Sequence, residues 1–335
     1  MSAELLEDDN EAESEAVVPR EQLKPAALKP GAKVGLFAPS ARPASPLVLK
    51  RCIQVIEEMG FSPVVGQNVM RNDGFTAGSD EQRLDDFYNL LQNNSVEAMY
   101  CLSGGYGALR LLPLLDFGQI RQHPKVFLGS GANDVLLMAI NQLTGLVVFH
   151  ASNLDEIEDK HSFNSAKNAL SGSSENMVIN CRDTNDMSFE SAAYSLSERK
   201  CEGIVAGGNL TALSSLYGTR YQPDLKSKIL ILDDFNERNS ILDRWFTTLY
   251  LAGSLHEVEG IAFGGFPGCG ARGSNNMLSI EDTFGDRIKE LGLAACFGFK
   301  FGLASKDNVV PIGIKALLDC GSGRLEFLEA AHQTD

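Results

Sequence analysis

Apolar runs and helical periodicities alternate along the chain from residue 33 onward. The run 34–40 predicts a buried strand, and Ser45-Pro46 predicts a helix start, because serine caps helices and proline fits the first turn. Ser79-Asp-Glu-Gln82 is a capping box that begins a second helix. Further strands are predicted at 96–105, 125–129 and 146–152. Such alternation predicts a parallel sheet covered by helices on both faces.

A second α/β block follows a polar stretch that shows no strong periodicity. Its strand-like runs and one long helix lie at 203–209, 228–234, 242–252 and 259–266. We therefore predict two α/β domains with a ligand-binding cleft between them. The predicted segments are a disordered acidic tail at 1–28, an N-terminal domain at 29–155, an interdomain connection at 156–190 and a C-terminal domain at 191–330.

The charge balance excludes some classes of partner. The formal net charge is −15, and seven acidic residues without a basic one lie within 1–19. The remaining surface is acidic as well, so it repels phosphate backbones and anionic lipids. We expect no binding to nucleic acid or to membranes.

Targeting signals and cysteine pairs are absent from the sequence. The polar N-terminus lacks the apolar stretch of a signal peptide, and no run approaches the roughly 18 apolar residues of a membrane span. The seven cysteines are odd in number and form no CxxC pair, which is typical of buried free thiols in a reducing compartment. We predict a cytoplasmic protein without a metal site or a cofactor.

Four predicted strands end in residues that could carry chemistry. Glycines after the third strand, Gly104 and Gly105, could bring backbone amides close to a ligand oxygen, but glycines alone favour a simple tight turn, because such loops are common. Ser130 resembles the nucleophile of a strand-to-helix elbow, but the G-x-S-x-G pattern is not met. Asn209 ends a turn that is compatible with facing a ligand, and Asp233 begins a carboxylate cluster that could orient a base, bind a cation or cap a helix.

A serine hydrolase also needs a base, which is usually histidine. Of the five histidines, at 123, 150, 161, 256 and 332, His150 alone ends a predicted strand. A single histidine at a strand end is more often hydrogen-bonded structure than a catalytic base. The residues by themselves therefore predict a cleft with acids and glycines, but no convincing catalytic triad.

Several motifs in order resemble the LD-carboxypeptidase family of serine peptidases, which includes microcin-immunity peptidases. The motifs are LKPGAKVGLFAPSA, the stretch from FTAGSDEQRL to LSGGYGALRLLPLLDF, GGNLTALSSLYGT, KILILDDFNE with ILDRWFTTLYLAG, and FKFGLASKDNVVPIGIKALLD. The resemblance covers roughly residues 27–320. It implies a Rossmann-like N-terminal domain, a β-rich α/β C-terminal domain, a site in the groove between them, and a homodimer. It also implies a Ser–Glu–His triad that cuts L-to-D peptide bonds of muropeptides during wall recycling.

This sequence departs from the family at the triad itself. An ungapped alignment to His150 puts Gly131 at the nucleophile position, and a shift of two residues puts Asn133 there. The family glutamate corresponds to Asp233, and the family histidine corresponds to Leu303. Ser103 occupies the position of the arginine that usually precedes Gly-Gly-Tyr-Gly. The retained family positions are Gly104, Gly105, Tyr106, Gly107, Asn209, Asp243, Arg244, Pro311 and Gly313.

Leucine cannot accept a proton, so these substitutions predict a pseudoenzyme that keeps the fold and the groove. Such a protein would bind a peptide, a muropeptide or a protein partner, with groove or oxyanion positions at Gly104, Gly105, Tyr106, Gly131 and Asn209. One alternative is an active hydrolase that uses Ser130, Asp233 and His150. The other is a structural subunit that pairs with an active paralogue.

Overall fold

The computed structural model describes residues 21–173, 178–181, 194–270, 278–302 and 306–333. Its helices are α1 Pro46–Glu58, α2 Asp80–Leu91, α3 Phe117–Gln122, α4 Asp134–Thr144, α5 Lys160–Ser171, α6 Leu210–Ser215, α7 Asn239–Leu251 and α8 Ile280–Leu291. Its strands are β1 Lys33–Phe37, β2 Ser62–Val65, β3 Val96–Cys101, β4 Val126–Gly129, β5 Val148–His150, β6 Val178–Asn180, β7 Tyr194–Ser195, β8 Lys200–Asn209, β9 Lys228–Asp233, β10 Gly260–Phe263, β11 Ala294–Phe297, β12 Val310–Ile312, β13 Lys315–Asp319 and β14 Arg324–Phe327.

The first sheet has the strand order β12-β5-β4-β3-β1-β2. Its first five strands in sequence are parallel, as strand–helix alternation predicts. The edge strand β12 comes from the C-terminal part of the chain and pairs antiparallel with β5. The carboxyl end of β5 is thereby placed beside a segment that is distant in sequence.

The second sheet has the strand order β6-β14-β13-β8-β9-β10-β11-β7. Its central strands β8, β9, β10 and β11 are parallel, and antiparallel strands flank them on both sides. The predicted fold class, a parallel-sheet α/β N-terminal part with a β-rich α/β C-terminal part, is confirmed.

Aromatic side chains fill the core of the second sheet. Phe263 of β10 stacks on Phe297 of β11 with ring centroids 4.1 Å apart, and it stacks on Phe284 of α8 at 5.2 Å. All three rings are almost fully buried. Aromatic pairs of this kind add to the free energy gained by burying apolar area. The core therefore fixes the sheet whose strand ends contribute to the site.

Two stretches that the sequence analysis assigned to a connection and to a tail make ordered contacts with the rest of the protein. The predicted connection 156–190 includes α5, which Asp159 caps and which buries Ala166, Ala169 and Leu170. Within the predicted tail, Leu28 is 4% exposed and its amide donates to Leu170 O at 2.9 Å. The hydrophobic periodicity of these polar stretches is too weak to predict the helix α5 or the contact between Leu28 and Leu170. Residues 1–20 lie outside the described part of the chain, and the domain boundaries stay predictions.

None of the helices in the described ranges has the length and apolar character needed to cross a membrane.

The structure contains the capping box that the sequence predicts at the start of α2, and a substitution can test its contribution to stability. Ser79 Oγ accepts from Gln82 N at 3.2 Å, and Gln82 Oε1 accepts from Ser79 N at 3.1 Å. Replacing Ser79 by alanine leaves one of these donors without its partner, so we expect a loss of about 1 kcal/mol in the free energy of unfolding. Denaturant titration measures the change. Ser79→Asp keeps a capping oxygen and is expected to restore most of the loss; an equal loss in both variants would contradict the assignment.

Candidate functional site

Strand ends from both sheets meet around one buried histidine. His150 ends β5 of the first sheet, and Asp233 ends β9 of the second. Asp134 is the first residue of α4, which follows β4 after a short 3-10 turn. Ligand sites in parallel sheets form at carboxyl strand ends, and this is where the three side chains lie.

The three side chains form a hydrogen-bonded chain. His150 Nδ1 lies 3.0 Å from Asp134 Oδ1, and His150 Nε2 lies 3.0 Å from Asp233 Oδ2. Each of the three side chains is at most 2% exposed. The structure thus places the predicted residues His150 and Asp233 in contact and adds Asp134, which the sequence analysis did not single out. In the sequence, Asp134 is an acidic residue at the start of a predicted helix. Acidic residues are common there for reasons of helix capping, so the pattern does not indicate a functional site.

The charge state of His150 follows from its two neighbours. Burial alone would lower the pKa of the imidazole, but the carboxylates of Asp134 and Asp233 outweigh it and hold this pKa well above its usual value. Burial raises the pKa of the Asp134 carboxyl, and His150 opposes that rise. Both ring nitrogens face carboxylate oxygens, and this geometry together with the raised pKa favours the protonated form of the ring.

A backbone amide binds the Asp134 carboxylate, and a glycine packs closely against Asp233. Asp134 Oδ2 accepts from Asn209 N at 2.9 Å, which joins α4 of the first sheet to the end of β8 in the second. Gly302 lies against Asp233, where a Cβ would come within 1.8 Å of Oδ2, and its φ is +83°. Only glycine fits that position, since the close approach and the positive φ both exclude a side chain.

Ser130 belongs to a different hydrogen-bond network. Ser130 is fully buried, and its Oγ lies 3.4 Å from Asn153 Nδ2. The Asn153 side chain also accepts from Ser130 N at 3.3 Å. Among the described residues, no hydrogen bond joins Ser130 to a histidine or a carboxylate. The structure therefore separates the predicted nucleophile from the predicted base.

The two alternative nucleophile positions differ in exposure to the groove. Gly131 lines the groove and has a φ of +64°. Asn133 is fully buried, where its Oδ1 accepts from Ser40 Oγ at 2.7 Å and its Nδ2 donates to Ser103 O at 3.0 Å. Neither position offers a nucleophilic atom to a ligand. Leu303, which the sequence analysis aligned with the family histidine, lies outside the described residues.

A groove of about 580 Å³ lies beside this buried chain of residues. The five residues predicted to line it, Gly104, Gly105, Tyr106, Gly131 and Asn209, all lie on its wall. Ser103 also lines it, and its Oγ donates to Asp155 Oδ2 at 2.6 Å. Residues from both the N-terminal and the C-terminal half of the chain thus form the groove.

The buried residues Asp134, His150 and Asp233 offer donor atoms that suit a metal ion. One such atom from each residue lies within 4.8 Å of the other two. A metal ion can bind one nitrogen of an imidazole, whereas here both nitrogens are engaged by different carboxylates. An ion would have to displace one of these hydrogen bonds. The arrangement fits a proton-bridged chain better than a metal centre, and the absence of a metal stays a prediction.

Comparison with known proteins identifies relatives over most of the chain. Models of the LD-carboxypeptidase N-terminal domain and of the LD-carboxypeptidase C-terminal domain match residues 34–151 and 202–318. A probable murein peptide carboxypeptidase of Bacillus subtilis is 33% identical over 299 residues, which cover 88% of this chain and 91% of the relative. The similarity therefore extends through both halves of the groove.

Solved structures show the same fold. The structure of MccF in complex with glutamyl sulfamoyl guanosine matches with a TM-score of 0.83 and 22% identity, covering 93% of this chain and 100% of MccF. Muramoyltetrapeptide carboxypeptidase from Oxalobacter formigenes matches with a TM-score of 0.78 and 23% identity, covering 90% and 100%. At this level of identity the comparison establishes the arrangement of strands and helices.

Proposed function

Because this chain belongs to the LD-carboxypeptidase family, we propose that its groove binds a peptide of the muropeptide type and does not hydrolyse it by a serine mechanism. The observation that carries the proposal is the environment of His150. The two ring nitrogens lie 3.0 Å from Asp134 Oδ1 and Asp233 Oδ2, and the side chain is 1% exposed. Carboxylate oxygens engage both nitrogens, so neither is free to accept a proton from a nucleophile.

The loss of a general base has a large consequence for the rate. Proton transfer by a positioned base contributes about 10²–10⁴-fold to catalysis. The carboxylates that raise the pKa of His150 favour its protonated form, in which the ring cannot act as a base. The sequence supports the same conclusion, since leucine occupies the position of the family histidine at 303.

The nucleophile supports the proposal as well. Ser130 Oγ is held by Asn153 Nδ2, an amide N–H group that can donate to the hydroxyl but cannot remove its proton. Activation of a serine requires a base within hydrogen-bond reach. Neither Gly131 nor Asn133 can replace it in the other alignments.

One observation favours an active hydrolase as a second candidate. Asp233, which aligns with the family glutamate, contacts an imidazole at 3.0 Å, and this acid–histidine pair is one half of a triad. Hydrolysis would then require Asp134 to release His150 so that Nδ1 could face a hydroxyl.

A structural subunit, a homodimer and a cytoplasmic location remain predictions of the sequence. Size measurement after co-purification tests the first two.

Release of D-alanine distinguishes binding from hydrolysis. The purified full chain is incubated with a muropeptide tetrapeptide, while calorimetry follows binding and a D-amino acid assay follows release. We expect binding without turnover and no labelling by a fluorophosphonate probe. Release at the rate of an active family member, abolished in a Ser130→Ala variant, would overturn the proposal and support the second candidate. Ser95→Ala, at an exposed serine outside the groove, serves as the matched control.

A further inference from the structure

We propose that the groove selects ligands that carry a protonated amine and disfavours ligands that carry an additional carboxylate. This inference rests on the proposed function, because it names the chemistry of the peptide that the groove binds. It is carried by the charged and aromatic side chains on the groove wall. None of these side chains belongs to the buried chain of Asp134, His150 and Asp233.

The wall of the groove is strongly acidic. Four carboxylates line it: Asp155, Glu156, Asp234 and Glu237. Among the described residues on this wall, Arg42 is the single cationic side chain. The acids come from two places, a 3-10 turn after β5 and the segment that follows β9, so they face the groove from both halves of the protein. A ligand between them meets negative charge on two sides.

One oxygen of Asp155 lacks a hydrogen-bond donor. Its Oδ2 accepts from Ser103 Oγ at 2.6 Å, while its Oδ1 is shielded from solvent and has no hydrogen-bond partner among the described residues. A shielded carboxylate oxygen without a partner is costly, so positive charge in the adjacent groove would stabilise the ionised carboxylate. Burial raises the pKa of the Asp155 carboxyl, as expected for an acid that lacks a cation.

Two further acids show the same deficit of positive charge. Partial burial of its carboxyl raises the pKa of Glu156 to about 8, although the residue as a whole is exposed, and nearby Asp155 adds to the rise. Burial raises the pKa of Asp234 to about 6, although Asn209, Thr211 and the Phe235 amide donate to this carboxylate. A cationic ligand would favour the ionised form of both acids.

Aromatic side chains at the groove add a second preference for cations. Tyr106 is 49% exposed and Phe235 is 56% exposed, and both line the groove. Phe75 supports Tyr106 by an edge contact, with ring centroids 5.2 Å apart. The faces of such rings attract ammonium groups and also bury the methylene stem of a lysine-like side chain. Acids and rings therefore favour the same ligand, an amine on an apolar stem.

The affinity for such a ligand is expected to depend on pH. The charged groups that face Glu156 and Asp234 are Arg42, Asp155, Glu237 and, behind the wall, Asp233 and Asp307. A bound cation lowers the pKa of the acids, so binding releases protons and tightens as pH rises between about 5.5 and 8.5. A neutral ligand lacks this dependence.

Three matched peptides test the proposal: acetyl-Ala-Lys-D-Ala, the same peptide with Nε-acetyl-lysine, and acetyl-Ala-Glu-D-Ala. Calorimetry with the full chain measures each dissociation constant. We expect the lysine peptide to bind at least about tenfold more tightly than its acetylated form, with the glutamate peptide weakest. Glu237→Gln and Phe235→Leu are expected to reduce this preference severalfold, whereas Glu198→Gln, outside the groove, leaves it unchanged.

The outcomes separate this inference from the proposed function. Equal binding of all three peptides, or tighter binding of the glutamate peptide, overturns the preference for amines but leaves binding without hydrolysis intact. Release of D-alanine overturns the proposed function, and the kcat/KM values of the three peptides then report the preference instead. If none of the peptides binds, both fail. A preference that persists in Glu237→Gln together with Asp155→Asn also overturns the assignment to these acids.

Discussion

Replacing His150 by leucine is expected to lower the free energy of unfolding by about 3–5 kcal/mol. The substitution leaves the carboxylates of Asp134 and Asp233 almost fully buried without the cation that both of them contact at 3.0 Å. A buried charge without its partner costs far more than the hydrogen bonds that it loses. Denaturant titration measures the loss, and the transition is followed by fluorescence and by circular dichroism.

A matched histidine and a milder substitution keep this prediction testable. His161 is exposed, and its Nε2 lies 2.9 Å from Asn308 Oδ1, so His161→Leu should cost no more than about 0.5 kcal/mol. His150→Gln keeps one N–H donor and should fall between the two. Adding Asp134→Asn and Asp233→Asn to His150→Gln removes the unpaired charges, and it should recover part of the loss. A cost below about 1 kcal/mol for His150→Leu would show that the carboxylates are not held ionised around the ring.

Acid is expected to destabilise the protein through His332, by about 2–3 kcal/mol between about pH 7 and pH 4. His332 is 4% exposed and stacks on Phe149 with ring centroids 5.1 Å apart, and its Nε2 has no hydrogen-bond partner among the described residues. Burial lowers the pKa of His332 to about 4. The folded protein therefore prefers the neutral ring. That contribution to stability is complete above the unfolded pKa of about 6.5 and is lost as pH falls through the folded value.

Substitutions at His332 isolate this contribution from that of other groups. Asp234 and Asp307, whose pKa values burial raises to about 6, act in the opposite direction and stabilise the folded state in acid. The informative quantity is therefore the stability difference between the natural chain and a variant at each pH. His332→Phe keeps the ring stack and His332→Gln keeps a polar side chain, yet neither titrates. Both differences should shift in favour of the variant as pH falls, and a difference independent of pH would refute the prediction.

The buried chain of Asp134, His150 and Asp233 links the two sheets instead of facing a ligand. His150 belongs to β5 of the first sheet, and Asp233 belongs to β9 of the second. The bond from Asn209 N to Asp134 adds a second connection between the same halves. Charged pairs that cross such a junction fix its geometry, because each partner is costly when it is left alone. We infer that Asp134, His150 and Asp233 stabilise the junction that shapes the groove.

The separation of Ser130 from His150 shows why single residues could not be assigned from their types. A serine after a strand and a histidine at a strand end are the residues that a triad needs, and the sequence contains both. Their hydrogen-bond partners are Asn153 for the serine and two aspartates for the histidine. Which partner each residue meets depends on side-chain direction at adjacent strand ends, and a local pattern does not encode that direction.

The sequence alone determined the fold class, the positions of most of the parallel strands, the capped starts of α1 and α2, and the glycine-rich strand ends that form the groove. These features depend on local periodicity and on the conformational freedom of a few residues, so they can be predicted without neighbours. The contact between His150 and Asp233 joins residues that are 83 positions apart, and the burial of His332 depends on packing against Phe149. The charge state of both histidines was therefore decided by the tertiary structure, because a pKa is set by the burial and the charges around a group.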